Sequence, residues 1–280
     1  MLKRLFDFFI FSSLFIALCA VCMAAQTSLL FHYPLSFALA GFVFSGSVCS
    51  YNFHWYLTPP EVEKRSVKLS WNVSHRLVHL ALFLIGLTGA AVFSVLLLKH
   101  WLWLGVTAFF TFLYSAPKIP HPFFYFLRRI AIGKTIFLAL AWTHVTVTLP
   151  LLMLGRPLTA AEMVFTLNRF FFIYAICIVF DYRDVGEDRK AGIRSLITLL
   201  SGRSVNLLFW VSIAIFTGSS LWLHEWFSWE VVAALLVPGI ILCGLYGRAK
   251  QSISDYLYYF VLDGLMMLSA PLLLLTKFAR

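Results

Sequence analysis

Apolar residues run along this chain in long blocks separated by short polar breaks, from near its start to near its end. A helix needs roughly 17–25 apolar residues to cross a hydrocarbon layer about 30 Å thick. Nine such runs are read, at 5–28, 34–54, 76–98, 101–116, 130–150, 160–181, 205–223, 230–247 and 256–276. The fourth is short, and Pro117, Pro120 and Pro122 break the chain after it. Nothing is left over for a soluble domain. The pattern predicts one all-α membrane domain over 1–280, a polytopic bundle of nine transmembrane helices.

Composition sharpens that picture. The chain is 61% hydrophobic and 12% charged, with a mean hydropathy of +0.88. A soluble domain of this length needs far more polar surface. Lys3 and Arg4 precede an apolar run too long for the core of a cleavable signal, about 7–15 residues, so the run is read as the first span.

A net charge of +10 would suggest nucleic acid in a soluble protein. Here basic cytoplasmic loops facing anionic lipid account for it, and no nucleic-acid partner is expected. Of the 22 lysines and arginines, only Lys99, Arg156, Arg169, Lys277 and Arg280 fall on the side opposite the N-terminus. That asymmetry predicts an integral protein of the cell (inner) membrane, with the N-terminus cytoplasmic and the C-terminus external. The cysteines Cys19, Cys22, Cys49, Cys177 and Cys243 all fall in apolar runs, where they read as packing residues.

The chemistry concentrates after the sixth run, in Asp181-Tyr182-Arg183-Asp184-Val185-Gly186-Glu187-Asp188-Arg189-Lys190 and on to Arg194. If the helix of that run continues, Asp181, Asp184 and Asp188 share one face. Three carboxylates so placed repel one another unless a cation sits among them. Oxygen-only ligands favour a hard ion such as Mg²⁺, shared with substrate phosphates. Arg183, Arg189, Lys190 and Arg194 could meet phosphate oxygens directly.

This stretch resembles the second Asp-rich motif of the UbiA-type intramembrane prenyltransferases, with Asp184 and Asp188 as its DxxxD. The trailing Ala191 to Leu196 is also similar to the family's run after that motif. Tyr114-Ser115-Ala116-Pro117-Lys118 resembles the family's YxxxK. The resemblance extends over most of the chain. It implies nine helices around a lipid-open cavity and two acidic motifs, after helices 2 and 6, that hold Mg²⁺ and a prenyl diphosphate. It implies metal binding and catalysis at Asp181, Asp184 and Asp188, with Lys118 as a further catalytic cation. Asn52, Tyr114, Lys64, Arg65 and Arg183 are the implied substrate contacts. The partners it implies are a polyprenyl diphosphate, a hydrophobic acceptor and membrane lipid. The acceptor would be an aromatic quinone precursor, which can lose its proton to the departing pyrophosphate without a dedicated base.

One motif departs from the family. Where the first has NxxxDxxxD, this chain keeps Asn52 but places Tyr56 and Pro60 at the Asp positions. Glu61 and Glu63 follow, with Lys64, Arg65 and Lys68, and the basic residues could compensate in part for a missing cation. The loss leaves two readings open: a Mg²⁺-dependent prenyltransferase, or a non-catalytic binder of a diphosphate lipid. A secondary transporter needs polar midplane residues, whereas the charges here gather at helix mouths.

Four further features carry expectations of their own. His75 and His79, at i and i+4, have a metal-binding spacing but no evident third ligand. Asp263 lies two turns inside the last run and is expected to line the site. Arg169 lies inside the sixth run and is expected to snorkel or to pair. The 29 phenylalanines could line a prenyl groove, though packing bulk explains any one of them.

Overall fold

The computed structural model describes residues 1–58, 67–115, 121, 123, 132–190 and 195–278, leaving aside the side chains of 114, 115, 132–134, 187–190, 277 and 278. Among the described residues there are helices and no strand. In chain order they are α1 Leu2–Phe11, α2 Leu14–Leu30, α3 Phe37–Tyr56, α4 Val67–Ser74, α5 Arg76–Leu96 and α6 Trp101–Ser115. Then come α7 Ile132–Thr143, α8 Leu149–Leu152, α9 Ala160–Lys190, α10 Leu196–Leu199, α11 Gly202–Trp222, α12 Trp229–Ala249 and α13 Asp263–Phe278. Wide π-helical turns at His144–Thr148 and Leu257–Leu262 join α7 to α8 and lead into α13.

Each of the nine apolar runs has a helical counterpart, but fewer qualify as spans. Six helices are long and apolar enough to cross a membrane, and α1 with α2 makes a seventh if the bent pair is one span. Two of the expected spans fall short on their own chemistry. The α6 helix has 15 residues, and α3 carries Ser, Asn and His along its length.

The break in the first run has a local cause. Ser13 adopts a left-handed conformation, φ 66°, and the axes of α1 and α2 diverge by 62°. The turn takes the Ser12 carbonyl out of the helical ladder, and the Asn52 amide of α3 donates to it at 3.1 Å. A second donation, to the Val48 carbonyl at 2.8 Å, fixes which way that amide faces.

Small residues let α3 and α5 approach backbone to backbone. A Cβ added at Gly86 would stand 2.6 Å from the Cys49 backbone nitrogen and 2.9 Å from the Ser45 carbonyl oxygen. Gly86→Ala is therefore expected to lower stability by about 1–3 kcal/mol through overpacking. Gly46→Ala, whose added carbon meets nothing within 4 Å, should be neutral or stabilising. Thermal melts of both variants in detergent check this; equal melting temperatures would refute it.

The α9 helix starts on a reciprocal cap. The Thr159 hydroxyl accepts from the Glu162 N–H at 3.3 Å, while Glu162 accepts from the Thr159 N–H at 2.7 Å. Arg156 grips the same carboxylate with both guanidinium nitrogens, at 2.9 and 2.7 Å. With 31 residues, at 1.5 Å each α9 runs roughly 46 Å, longer than a bilayer's hydrocarbon core. It carries the acidic stretch out on a continuous helix, as the spacing argument requires.

Packing divides along the bundle. A cluster around Leu30, Phe165, Leu223, Leu235 and Leu273 closes one end. A larger cluster runs from Phe11 and Phe15 through Phe172 and Ile176 to Tyr258 and Leu262. The buried polar groups of the candidate site lie at the end away from Leu30 and Leu273.

Candidate functional site

Four segments bring chemistry together at that end: the C-terminal part of α3, the short helix α4, the C-terminal part of α9, and the stretch from Asp255 into α13. Asp181 is 3% exposed and accepts a hydrogen bond from the Thr135 hydroxyl of α7 at 2.7 Å. Asp184 lies three residues on, half-buried. Asp188 continues the same helix, but its side chain is outside the described residues.

Arg183, on the same helix, pairs with a further acid. Its Nη2 donates to Asp255 Oδ1, in a pair that is nearly buried on both sides. Its guanidinium carbon lies 4.3 Å from the Tyr259 ring centroid and 5.3 Å from that of Tyr258. Its Nη1 is buried and has no hydrogen-bond partner among the described residues.

Asp255 uses its other oxygen as well, accepting from the backbone N–H of Lys68 at 2.8 Å. That contact places a carboxylate at the N-terminus of α4, where the helix leaves amides unsatisfied. One acid thereby fixes α4 against α9.

Lys68 is 3% exposed, with its ammonium 3.4 Å from the Tyr259 ring centroid and 4.4 Å from that of Trp55. Burial pushes this ammonium well below the usual lysine range, and Arg183 adds to the fall. Asp263, Asp255 and Asp184 pull the other way. Two cations thus meet on one aromatic ring.

Asn52 is fully buried, and both N–H donors of its amide are used on backbone carbonyls. Its oxygen therefore faces His79 Nδ1 at 2.7 Å as the acceptor. The other ring nitrogen, Nε2, meets the Asn72 amide at 3.0 Å. The chain from Asn52 through His79 to Asn72 ends one helical turn from Lys68, on the same face of α4. Asn52 thus braces the site through His79, with no amide donor left for a ligand.

His75 and His79 do not converge on a metal. His75 stacks on Trp71 at 4.3 Å, and His79 is held between two amides. Among the described residues no three His, Cys, Asp or Glu side chains are grouped to hold one. Asp263 is buried directly after a π-helical turn, a distortion common at functional sites. Arg169 neither snorkels nor pairs with a carboxylate among the described residues. It is 1% exposed and donates to the Met266 carbonyl at 2.6 Å and the Ser269 hydroxyl at 3.4 Å.

Lys64, Arg65 and Lys118, with Pro60, Glu61 and Glu63, lie outside the described residues, as does the side chain of Tyr114. Tyr56 stands under Arg76, 4.7 Å from ring centroid to guanidinium carbon. Sequence reading missed Asp255 and Thr135. The signal for Asp255 was a lone acid in a short Ser-rich link just before the last apolar run.

No family model and no curated protein sequence matches this chain. Among solved structures, it resembles a digeranylgeranylglyceryl phosphate synthase studied in membranes. The TM-score is 0.56, with 12% identity over 99% of this chain and 98% of that one. At that identity the likeness shows the fold alone.

Proposed function

We propose that this chain transfers a prenyl group from a polyprenyl diphosphate to a hydrophobic acceptor within the membrane, as a UbiA-type enzyme of nine spans. One observation carries the reading. Carboxylates on α9 stand beside two buried cations and several aromatic faces at a single mouth of an apolar bundle. A lipid diphosphate presents that combination, an apolar tail with a concentrated negative head. The fold of a synthase of prenylated membrane lipids agrees with it.

Asp181, Asp184 and Asp188, with the Thr135 hydroxyl behind the first of them, supply only oxygen donors, which fits Mg²⁺. When bound, Mg²⁺ would stabilise the negative charge that develops on the leaving diphosphate. The residues do the rest. Asp181 is held in place by Thr135, Arg183 and Lys68 add fixed positive charge, and the aromatic rings keep water out and face a developing allylic cation. Lys118, Tyr114, Lys64 and Arg65 are proposed to complete the diphosphate site. The acceptor is taken to be an aromatic quinone precursor, with a prenylglyceryl phosphate as the alternative that the structural neighbour's name suggests. With the N-terminus cytoplasmic, the site opens to the cytoplasm.

The test is a mass-spectrometric screen of purified protein with prenyl diphosphates, Mg²⁺ and both classes of acceptor. Prenylated product and released pyrophosphate are expected. In the same assay Asp184→Asn and Asp188→Asn should each weaken Mg²⁺-dependent binding of a prenyl diphosphate about 10–100-fold. Unchanged affinity in both variants removes the acidic stretch from the site. A second reading, a non-catalytic binder of a diphosphate lipid, draws on Tyr56 and Pro60 standing where the family has acids. Binding without pyrophosphate release would favour it.

A further inference from the structure

Two cations of the site gather on one aromatic ring. Tyr259 has the Lys68 ammonium 3.4 Å and the Arg183 guanidinium carbon 4.3 Å from its ring centroid. Asp255 gives one oxygen to Arg183 Nη2 and the other to the backbone N–H of Lys68. Among the described residues no carboxylate forms a salt bridge with the Lys68 ammonium, which is instead set over the rings of Trp55 and Tyr259. Arg183 Nη1 is a buried charged donor without a hydrogen-bond acceptor among the described residues. A buried unsatisfied donor is destabilising, the more so when charged. Two cations, one with an idle N–H, on a single ring are arranged for a multivalent oxyanion that bridges them.

We propose that Lys68 Nζ and Arg183 Nη1 bind the diphosphate, so that a site whose sequence has Tyr56 and Pro60 where the family has carboxylates works with one divalent cation instead of two. The inference rests on the transfer reading for the identity of the diphosphate. It adds that a fixed ammonium does the work of a second metal ion. The arrangement suits that work. The aromatic rings and Asp255 hold Lys68 in position before any ligand arrives, so little ordering remains to be done on binding. Arg183 is oriented by one of its own donors while the other stays available. The carboxylates acting on Lys68 are those of Asp263, Asp255 and Asp184.

The experiment uses inorganic pyrophosphate as probe, with the full chain in detergent. Bound Mn²⁺ is counted by electron paramagnetic resonance at saturating pyrophosphate. The expected result is one Mn²⁺ per chain, without the signal of a spin-coupled pair. Two ions, or none, would overturn the proposal, and this arm needs no variant. In a second arm, calorimetric titration at saturating Mg²⁺ should show pyrophosphate binding to Lys68→Met at least tenfold more weakly than to wild type. Lys68→Arg should recover most of the loss. Wild-type affinity in Lys68→Met, with a wild-type melting curve, would overturn it too. A short-chain phosphatidate that binds more tightly than pyrophosphate would assign the cradle to a lipid monoester and so refute the diphosphate assignment. The two readings fail separately. Prenyl transfer with two bound ions leaves the transfer reading standing and removes this one. One ion and Lys68-dependent pyrophosphate binding without any transfer does the reverse.

Discussion

Asp255→Ala is expected to be among the most destabilising single substitutions at this end of the bundle. The side chains of Arg183 and Asp255 are 9% and 2% exposed. Removing the acid leaves a guanidinium in low dielectric without its counter-charge, a loss of about 3–5 kcal/mol. It also frees the first turn of α4, whose Lys68 N–H loses its acceptor. The two effects can be separated. Asp255→Asn keeps an acceptor oxygen but not the charge, so it should recover only part of the loss. Asp255→Ala combined with Arg183→Leu should be more stable than Asp255→Ala alone, because the stranded charge goes as well. Thermal denaturation of the three variants in detergent measures this. A double variant no more stable than the single would show that the pair contributes through something other than compensated burial.

That pair also shows how much of the site was legible in the sequence. The helix over 160–181 could be read from the apolar run, and its continuation through the charged face was the condition of the spacing argument; the structure has both as one α9. The helical segments fell where the apolar runs fell, because period and length are local properties of the chain. The count of spans was less legible. Length and composition alone leave α3 and α6 short, and what holds α3 in place is its close packing on Gly86 and Gly89 of α5.

Asp255 illustrates what sequence reading could not reach. It is separated by 72 residues from Arg183 and by 187 from Lys68, and no local pattern encodes a partner that distant. Asn52 shows the same limit from the other side. Its place in a recognisable motif was plain, but the helix break after α1, whose Ser12 carbonyl takes one of its donors, was not. The loop reading of Lys68 as one of three compensating cations did not foresee its burial against Trp55 and Tyr259, because those residues belong to other helices.

Thr135→Val is expected to reduce the apparent affinity for Mg²⁺ in prenyl transfer by about 10–100-fold, the usual cost of removing a residue that orients a metal-binding carboxylate. The Thr135 hydroxyl donates to Asp181 Oδ2 at 2.7 Å, and both side chains are almost wholly buried, at 2% and 3% exposed. Valine has nearly the same shape but no hydroxyl, so the buried carboxylate loses this donor. The Asp181 carboxylate would then be held by one fewer contact. Thr135→Ser keeps the hydroxyl and should behave as wild type at high Mg²⁺. Asp181→Asn removes charge as well as basicity and should cost at least as much as Thr135→Val. Combining Thr135→Val with Asp181→Asn should add little further, since both act on one ligand. The measurement is the rate of product formation across a Mg²⁺ series for all four variants. If valine and serine at 135 give the same Mg²⁺ dependence as wild type, Asp181 does not need the hydroxyl. If Asp181→Asn is equally silent, the metal is carried by Asp184 and Asp188 without it, and Asp181 is left as an internal tie between α7 and α9.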